Sequence, residues 1–152
     1  MKVNIKLKHK DVKLPQYATD GSGCFDIFPD QPSHRLYMID QVRNTIVLDT
    51  GLFFEIPKGK VLLVYSRSGQ GFNNNVRLAN SVGVIDSDFR GELKVKLTLD
   101  GTGEFLIEPH KAIAQGMIID AQQVQFNVVQ ELSETVRGTS GFGSTDNTKK
   151  AD

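Results

Sequence analysis

Cysteine is almost absent from this chain: among 152 residues only Cys24 carries a thiol, so no intramolecular disulfide can form and no thiolate set exists for a zinc site. Histidine is nearly as scarce, and His9, His34 and His110 stand far apart without ligand spacing. An excess of charge is missing too. Lys plus Arg is 18 and Asp plus Glu is 18, a net charge of zero, which argues against non-specific binding to nucleic acid or to a membrane surface. No run approaches the roughly 20 apolar residues of a membrane span. The N-terminus, Met1-Lys-Val-Asn-Ile-Lys6, alternates where a signal peptide would present a hydrophobic core, so a cytoplasmic protein is expected. The length fits one domain with a real core.

What is present is alternation. Val3, Ile5 and Leu7 alternate with polar residues until Leu14-Pro15 breaks the pattern. A small-residue loop from Ala18 runs into a short strand ending at Ile27. Residues 28–44, with Pro29 and Pro32, read as a surface excursion. Thr45–Val47 begins a β-branched strand, Asp49-Thr-Gly51 signals a turn, and Leu52–Ile56 forms a further strand stopped by Pro57. Val61–Tyr65 is an apolar run expected to be buried on both faces. Residues 70–79 carry weak helical signals, enough for a turn or two. Leu93, Val95, Leu97 and Leu99 alternate cleanly, Phe105–Ile107 and Ile113–Ile119 follow, and Val124, Phe126 and Val128 alternate again. The pattern predicts an all-β fold, a sandwich or jelly roll with one short helix at most.

Four stretches carry chemistry beyond packing. Asn80 through Glu92 reads as a hairpin with a polar tip: Asn80 can read the edge of a planar polar ring, Gly83 permits a positive φ, and Asp86 and Asp88 share a face if the segment is extended. The same residues also fit a solvated acidic turn. Ser66-Arg-Ser-Gly69 offers a guanidinium fork, hydroxyls and backbone N–H groups to an anion, or is merely a polar strand end. Gln115 is an amide in an apolar run, of the kind that usually closes hydrogen bonds. Arg137–Thr145 has too little apolar content to order itself, yet holds the glycines, hydroxyls, arginine and phenyl ring of a phosphate-binding lid. It is not a Walker loop.

Taken in order, Gly21–Ile27, Arg67–Gly69, Asn80–Glu92, Ile113-Ala-Gln115 and Arg137–Thr145 resemble the motifs of the homotrimeric dUTPases over nearly the whole chain. The resemblance implies a distorted jelly roll of the β-clip type over 1–136 and a Gly-rich arm over 137–152 that closes on an active site. It implies hydrolysis of dUTP to dUMP and pyrophosphate in sites shared between three subunits, with Mg2+ held mainly by the substrate phosphates. By the same resemblance Asp86 is the general base for a water. Asn80 and the backbone of Gly83, Val84 and Ile85 read uracil, and Phe89, where tyrosine is usual, stacks on the deoxyribose. Arg67, Ser68 and Gly69 bind the α- and β-phosphates, and Gln115 holds phosphate or the attacking water. Phe142 covers uracil, Arg137, Ser144 and Thr145 clamp the γ-phosphate with Gly143 beside them, and Asp26 stands near the water or the hydrated metal.

Several positions depart from the family pattern. Cys24 and Ser140 replace glycines, Asp146 another, Ser66 a proline, and Ala112 an arginine. None is a residue assigned to chemistry. Alternatives are a dCTP deaminase of the same fold, which lacks an aspartate where Asp86 stands, and a nucleotide-binding regulator using residues 28–44.

Overall fold

A computed structural model describes residues 1–30, 37–40, 42, 44–108 and 110–142. In chain order the strands are β1 (Asn4–Leu7), β2 (Gln16–Tyr17), β3 (Phe25–Ile27), β4 (Tyr37–Ile39), β5 (Thr45–Glu55) and β6 (Lys60–Tyr65). A helix, α1 (Ser68–Asn74), follows, then β7 (Val76–Leu78), β8 (Val82–Ile85), β9 (Glu92–Leu99), β10 (Phe105–Ile107) and β11 (Ala114–Asp120). A four-stranded sheet has the order β1-β5-β9-β7, a five-stranded sheet the order β2-β3-β11-β6-β8, and β4 pairs with β10. Every pairing among these strands is antiparallel. The expected all-β sandwich with one short helix is what forms.

Both large sheets contribute to one buried cluster, with Leu48, Val95 and Leu97 from one side and Ile27, Leu62 and Ala114 from the other. The alternation read in β9 is the cause. Leu93, Val95, Leu97 and Leu99 are all buried while Lys94 and Lys96 face solvent. In β6 the run is less symmetric than expected: Val61, Leu62 and Val64 are buried, but Leu63 and Tyr65 are only partly so. α1 buries none of its residues, which is why no amphipathic period marks it. It ends at Asn75, whose left-handed φ of 54° closes the last turn on Gln70.

Asp49-Thr-Gly51 is not a turn. It is a bulge inside one continuous strand, β5, whose pairing with β9 passes from Asp49–Lys94 to Phe53–Glu92. The extra residues find partners: Thr50 Oγ1 donates to the Leu93 carbonyl at 2.6 Å, the Gly51 N–H donates to Glu92 Oε1 at 2.9 Å, and the Gly51 carbonyl accepts the Lys8 N–H at 2.9 Å. Gly51 has φ +68° and a Cβ there would stand 2.5 Å from Val12 Cγ2, so the bulge requires glycine.

The outer face beside the bulge is charged. Lys94 Nζ lies 2.8 Å from Asp49 Oδ1, and Lys8 Nζ reaches Asp30, Glu92 and Asp49 at 3.4, 3.5 and 3.7 Å. The hydrogen bond from Lys94 holds the Asp49 carboxyl below its ordinary range, and the same bond raises Lys94. Partial burial works against charge on Lys8, yet Glu92, Asp30 and Asp49 outweigh it and raise that ammonium.

Two other expectations change. The 28–44 excursion is not all surface: Phe28 and Ile39 are buried and β4 lies within it, while residues 31–36, 41 and 43 fall outside the described residues. Val124, Phe126 and Val128 form no strand and are 65%, 92% and 95% exposed. Their alternation finds no strand partner among the described residues of this chain.

Candidate active site

The site begins with strand register. Gln115 on β11 stands opposite Asp26 on β3 and opposite Tyr65 on β6, so three distant segments lie abreast. The chain leaves β6 through Ser66 and turns into α1 at Arg67. Arg67 Nε meets Asp26 Oδ1 at 3.3 Å, and its Nη1 donates to the Ala112 carbonyl at 3.4 Å. Gln70 Nε2 donates to that carbonyl at 3.1 Å, and Gln115 Nε2 donates to the Ser66 carbonyl at 3.0 Å. Arg67 is the N-cap of α1 and makes no side-chain cap bond. The first N–H groups of the helix, at Ser68 and Gly69, therefore have no intrahelical partner and remain available to an anion.

These residues wall a cleft of about 660 Å³, lined by Asp26, Arg67, Ser68, Gly69 and Gln115 together with Cys24, Asn73, Asn74, Leu106 and Lys111. A guanidinium, a hydroxyl, backbone donors and an amide around a space of this size suit a polyphosphate. Asp26 pairs with Arg67, so the carboxylate expected near a metal also fixes the arginine in place. Gln70 was not singled out in the sequence. Its signal is only its place on the first turn of a helix that follows the Arg-Ser-Gly run.

Asn80 and its followers lie elsewhere. Asn80, Gly83, Val84 and Ile85 line a smaller cavity of about 320 Å³ with Leu93 and Val95. The expected hairpin is not one. β8 pairs with β6 in one sheet, β9 pairs with β5 and β7 in the other, and the segment crosses between them. Gly83 does not take a positive φ; Ser81 does, at 63°. At Gly83 the space is tight instead, since a Cβ would stand 3.1 Å from Val64 Cβ, which would have to give by a few tenths of an ångström.

Asp86 opens a turn and is exposed, with the Phe89 N–H donating to the Asp86 carbonyl at 3.2 Å. Asp86 and Asp88 are thus not on one face of an extended strand; they share the turn and both line a third cavity of about 900 Å³, with Lys58, Lys60 and Arg90. Arg90 braces the turn through the Ser87 and Phe89 carbonyls at 2.8 and 3.0 Å. Phe89 is half exposed, and its ring covers Gly91 so closely that a Cβ there would meet Phe89 Cζ at 2.5 Å.

In the arm, Arg137 Nε donates to its neighbour Ser140 carbonyl at 3.1 Å, and Phe142 is fully exposed. Neither lines the three cavities. Gly143, Ser144 and Thr145 lie outside the described residues. The structure thus gathers Asp26, Arg67, Ser68, Gly69 and Gln115, gathers Asn80 with Gly83–Ile85, sets Asp86 in the cavity that Val84 also lines, and leaves Asp86 and the described part of the arm away from the Arg67 cleft.

The family profile described as dUTPase matches residues 10–146. The chain belongs to the dUTPase family. The deoxyuridine 5'-triphosphate nucleotidohydrolase of Brucella melitensis is 40% identical over 142 residues, covering 93% of this chain and 90% of that protein. The same enzyme of Helicobacter hepaticus is 38% identical over 144 residues, with 95% of this chain and 88% of that protein covered. Among solved structures, a Staphylococcus bacteriophage 80alpha dUTPase mutant with dUpNHpp superposes with a TM-score of 0.83 at 23% identity, covering 95% of this chain and 98% of that one. That likeness bears on the fold, which is the dUTPase fold.

Proposed function

We propose that this protein hydrolyses dUTP to dUMP and pyrophosphate. The observation that carries the proposal is the cleft wall of a dUTPase-family chain, where the register of β3, β11 and β6 sets Asp26 beside Gln115 and Arg67, just past β6, pairs with Asp26. Arg67, Ser68 and Gly69 receive the α- and β-phosphates, whose charge the guanidinium and the free N–H groups of α1 match. Gln115 lies where an amide can hold a phosphate oxygen or a water. Asn80 and the backbone of Gly83, Val84 and Ile85 form the uracil segment, and Phe89 is the plate for deoxyribose. Cytosine is rejected there because its amino group reverses one donor–acceptor pair, and an unmatched buried polar pair is costly.

Asp86 is the general base. It takes a proton from a water whose oxygen bonds to the α-phosphorus, while the bond to the bridging oxygen breaks and pyrophosphate leaves. Arg137, Ser144 and Thr145 close over the γ-phosphate with Gly143, and Phe142 covers the base. Because Asp86 and the arm are apart from the Arg67 wall in one chain, a complete site takes its parts from neighbouring copies, and a homotrimer supplies them. Val124, Phe126 and Val128, exposed and without a strand partner among the described residues, fit an interface between those copies. We place the enzyme in the cytoplasm.

Magnesium is the metal we assign. Among the described residues no group of three or more His, Cys, Asp and Glu could hold an ion, whereas the cleft offers hard oxygen donors at Asp26 and Gln115. These fit an ion that the triphosphate would chiefly hold, with Asp26 and Gln115 as the protein oxygens that would stand near it. Its contribution is to neutralise charge on the phosphates. The deciding experiment is pyrophosphate release from dUTP by the wild type and Asp86→Asn, with dTTP, UTP and dCTP in parallel. Turnover of dUTP alone, lost in Asp86→Asn while nucleotide binding persists, is the expected result. Ammonia release from dCTP, or binding without turnover by the wild type, would sink it.

A further inference from the structure

One side chain with no role in that reading stands where its pieces meet. Ser66 follows β6 directly, one residue past the rungs that pair Tyr65 with Gln115 on one side and with Val82 on the other. Its carbonyl accepts Gln115 Nε2 at 3.0 Å. Its hydroxyl oxygen accepts the N–H of Leu78 at 2.9 Å, and Leu78 ends β7 in the opposite sheet. Leu78 is buried, 2% exposed, and its N–H points away from β9, since the next N–H, of Ala79, is the one that reaches the Lys96 carbonyl at 2.9 Å. Without the hydroxyl this buried donor loses its partner. The residue after Ser66 is Arg67, and two residues after Leu78 comes Asn80.

We infer that Ser66 is a positioning residue that ties the phosphate wall to the nucleobase segment of the same chain. The inference rests on the roles proposed above for Arg67 and Asn80. Through one residue the carbonyl fixes Gln115, the chain direction fixes Arg67, and the hydroxyl fixes the end of β7 from which Asn80 hangs. In an assembly with shared sites the wall and the segment of one chain face different sites, so the hydroxyl links one site to the next.

The test combines hydrogen exchange and kinetics on the full-length protein, as wild type, Ser66→Ala and Ser66→Thr, with inorganic pyrophosphate as probe. In the wild type and in Ser66→Thr, pyrophosphate slows exchange at residues 67–69 and also at residues 79–85. In Ser66→Ala the first effect persists and the second falls several-fold. With dUTP, kcat/KM drops about tenfold in Ser66→Ala, the size expected for one hydrogen bond. The preference for dUTP over dCTP narrows as well, which a general loss of folded protein would not cause. Ser66→Thr restores both. An Ala variant indistinguishable from wild type, an unchanged dUTP-to-dCTP preference, or a Thr variant as impaired as Ala overturns the inference. If pyrophosphate fails to protect residues 67–69 even in the wild type, the phosphate assignment falls instead. The Leu78 amide then decides the tie alone, because it must exchange faster in Ser66→Ala without any ligand.

Discussion

Two regions of the molecule serve one proposed reaction and are built in opposite ways. In the Asp26–Arg67–Gln115 wall, Asp26 and Gln115 sit on paired strands and Arg67 caps α1, and partners distant in sequence hold four of its side chains: Asp26 and Arg67 hold each other, Ala112 holds Arg67 and Gln70, and Ser66 holds Gln115. The turn at Asp86 and the arm from Arg137 are exposed; Arg90 braces the turn locally and reaches Glu55 at 3.8 Å across an exposed pair, and Arg137 bonds within its own segment. The wall must meet a highly charged chain of phosphates in fixed geometry, which favours preorganised donors. The base and the arm must admit substrate and release product, which favours segments that cost little to move. Rigidity and chemistry are thus assigned to different parts of the chain, so mutations should separate them.

The largest effect is expected at the loose region. Asp86→Asn should lower kcat by about 10²–10⁴, the usual worth of a general base, and leave the unfolding midpoint unchanged because the carboxyl is exposed. A drop in stability equal to the loss of activity would erase the contrast. Ending the chain after Val136 should cost about 10²–10³ in kcat through loss of Arg137 and the arm, again without loss of stability. Adding the missing arm as a peptide gives a direct check for partial recovery.

At the rigid side the order reverses. Gly51→Ala places a methyl 2.5 Å from Val12 at a φ of +68°, and should cost about 1–3 kcal/mol in urea unfolding while kcat at low temperature holds. Gly91→Ala lies between the two regions. Its methyl would push the Phe89 ring away, so KM for dUTP should rise a few-fold with little change in stability. The smallest effect concerns pH. Asp49 titrates below its ordinary value of 3.8 because Lys94 bonds its charged form, so its contribution is present at neutral pH and is lost as pH falls through that lowered value. Both partners are well exposed, so Asp49→Asn should flatten the acid limb of stability only slightly, measured by urea midpoints below pH 4.

Much of the wall could be read from the chain. Arg67-Ser-Gly69 has the equipment for an anion on its face, whereas Asp26 and Gln115 enter only through the resemblance to the family's motifs, and the alternation in β9 sets the core directly. What escaped reading depends on partners far away in sequence. Asp49-Thr-Gly51 has turn chemistry, but Glu92 and Leu93 satisfy its polar groups and keep β5 continuous. Gly83 looked like a residue of special φ, while the structure gives it none and sets it close to Val64. Val124, Phe126 and Val128 have the period of a strand without a strand partner among the described residues, because period reports a face and not its partner.

The pairing of β11 with β3 and β6 has a consequence for synthesis. Residue 115 must pair with residue 26 before the wall exists, so a ribosome has to translate β11, and let it emerge, before the proposed phosphate-binding wall can assemble. A nascent chain stalled earlier exposes the inner edges of β3 and β6 with nothing between them. Assembly of the proposed wall is therefore tied to synthesis of β11, and a message interrupted before it yields fragments without that wall.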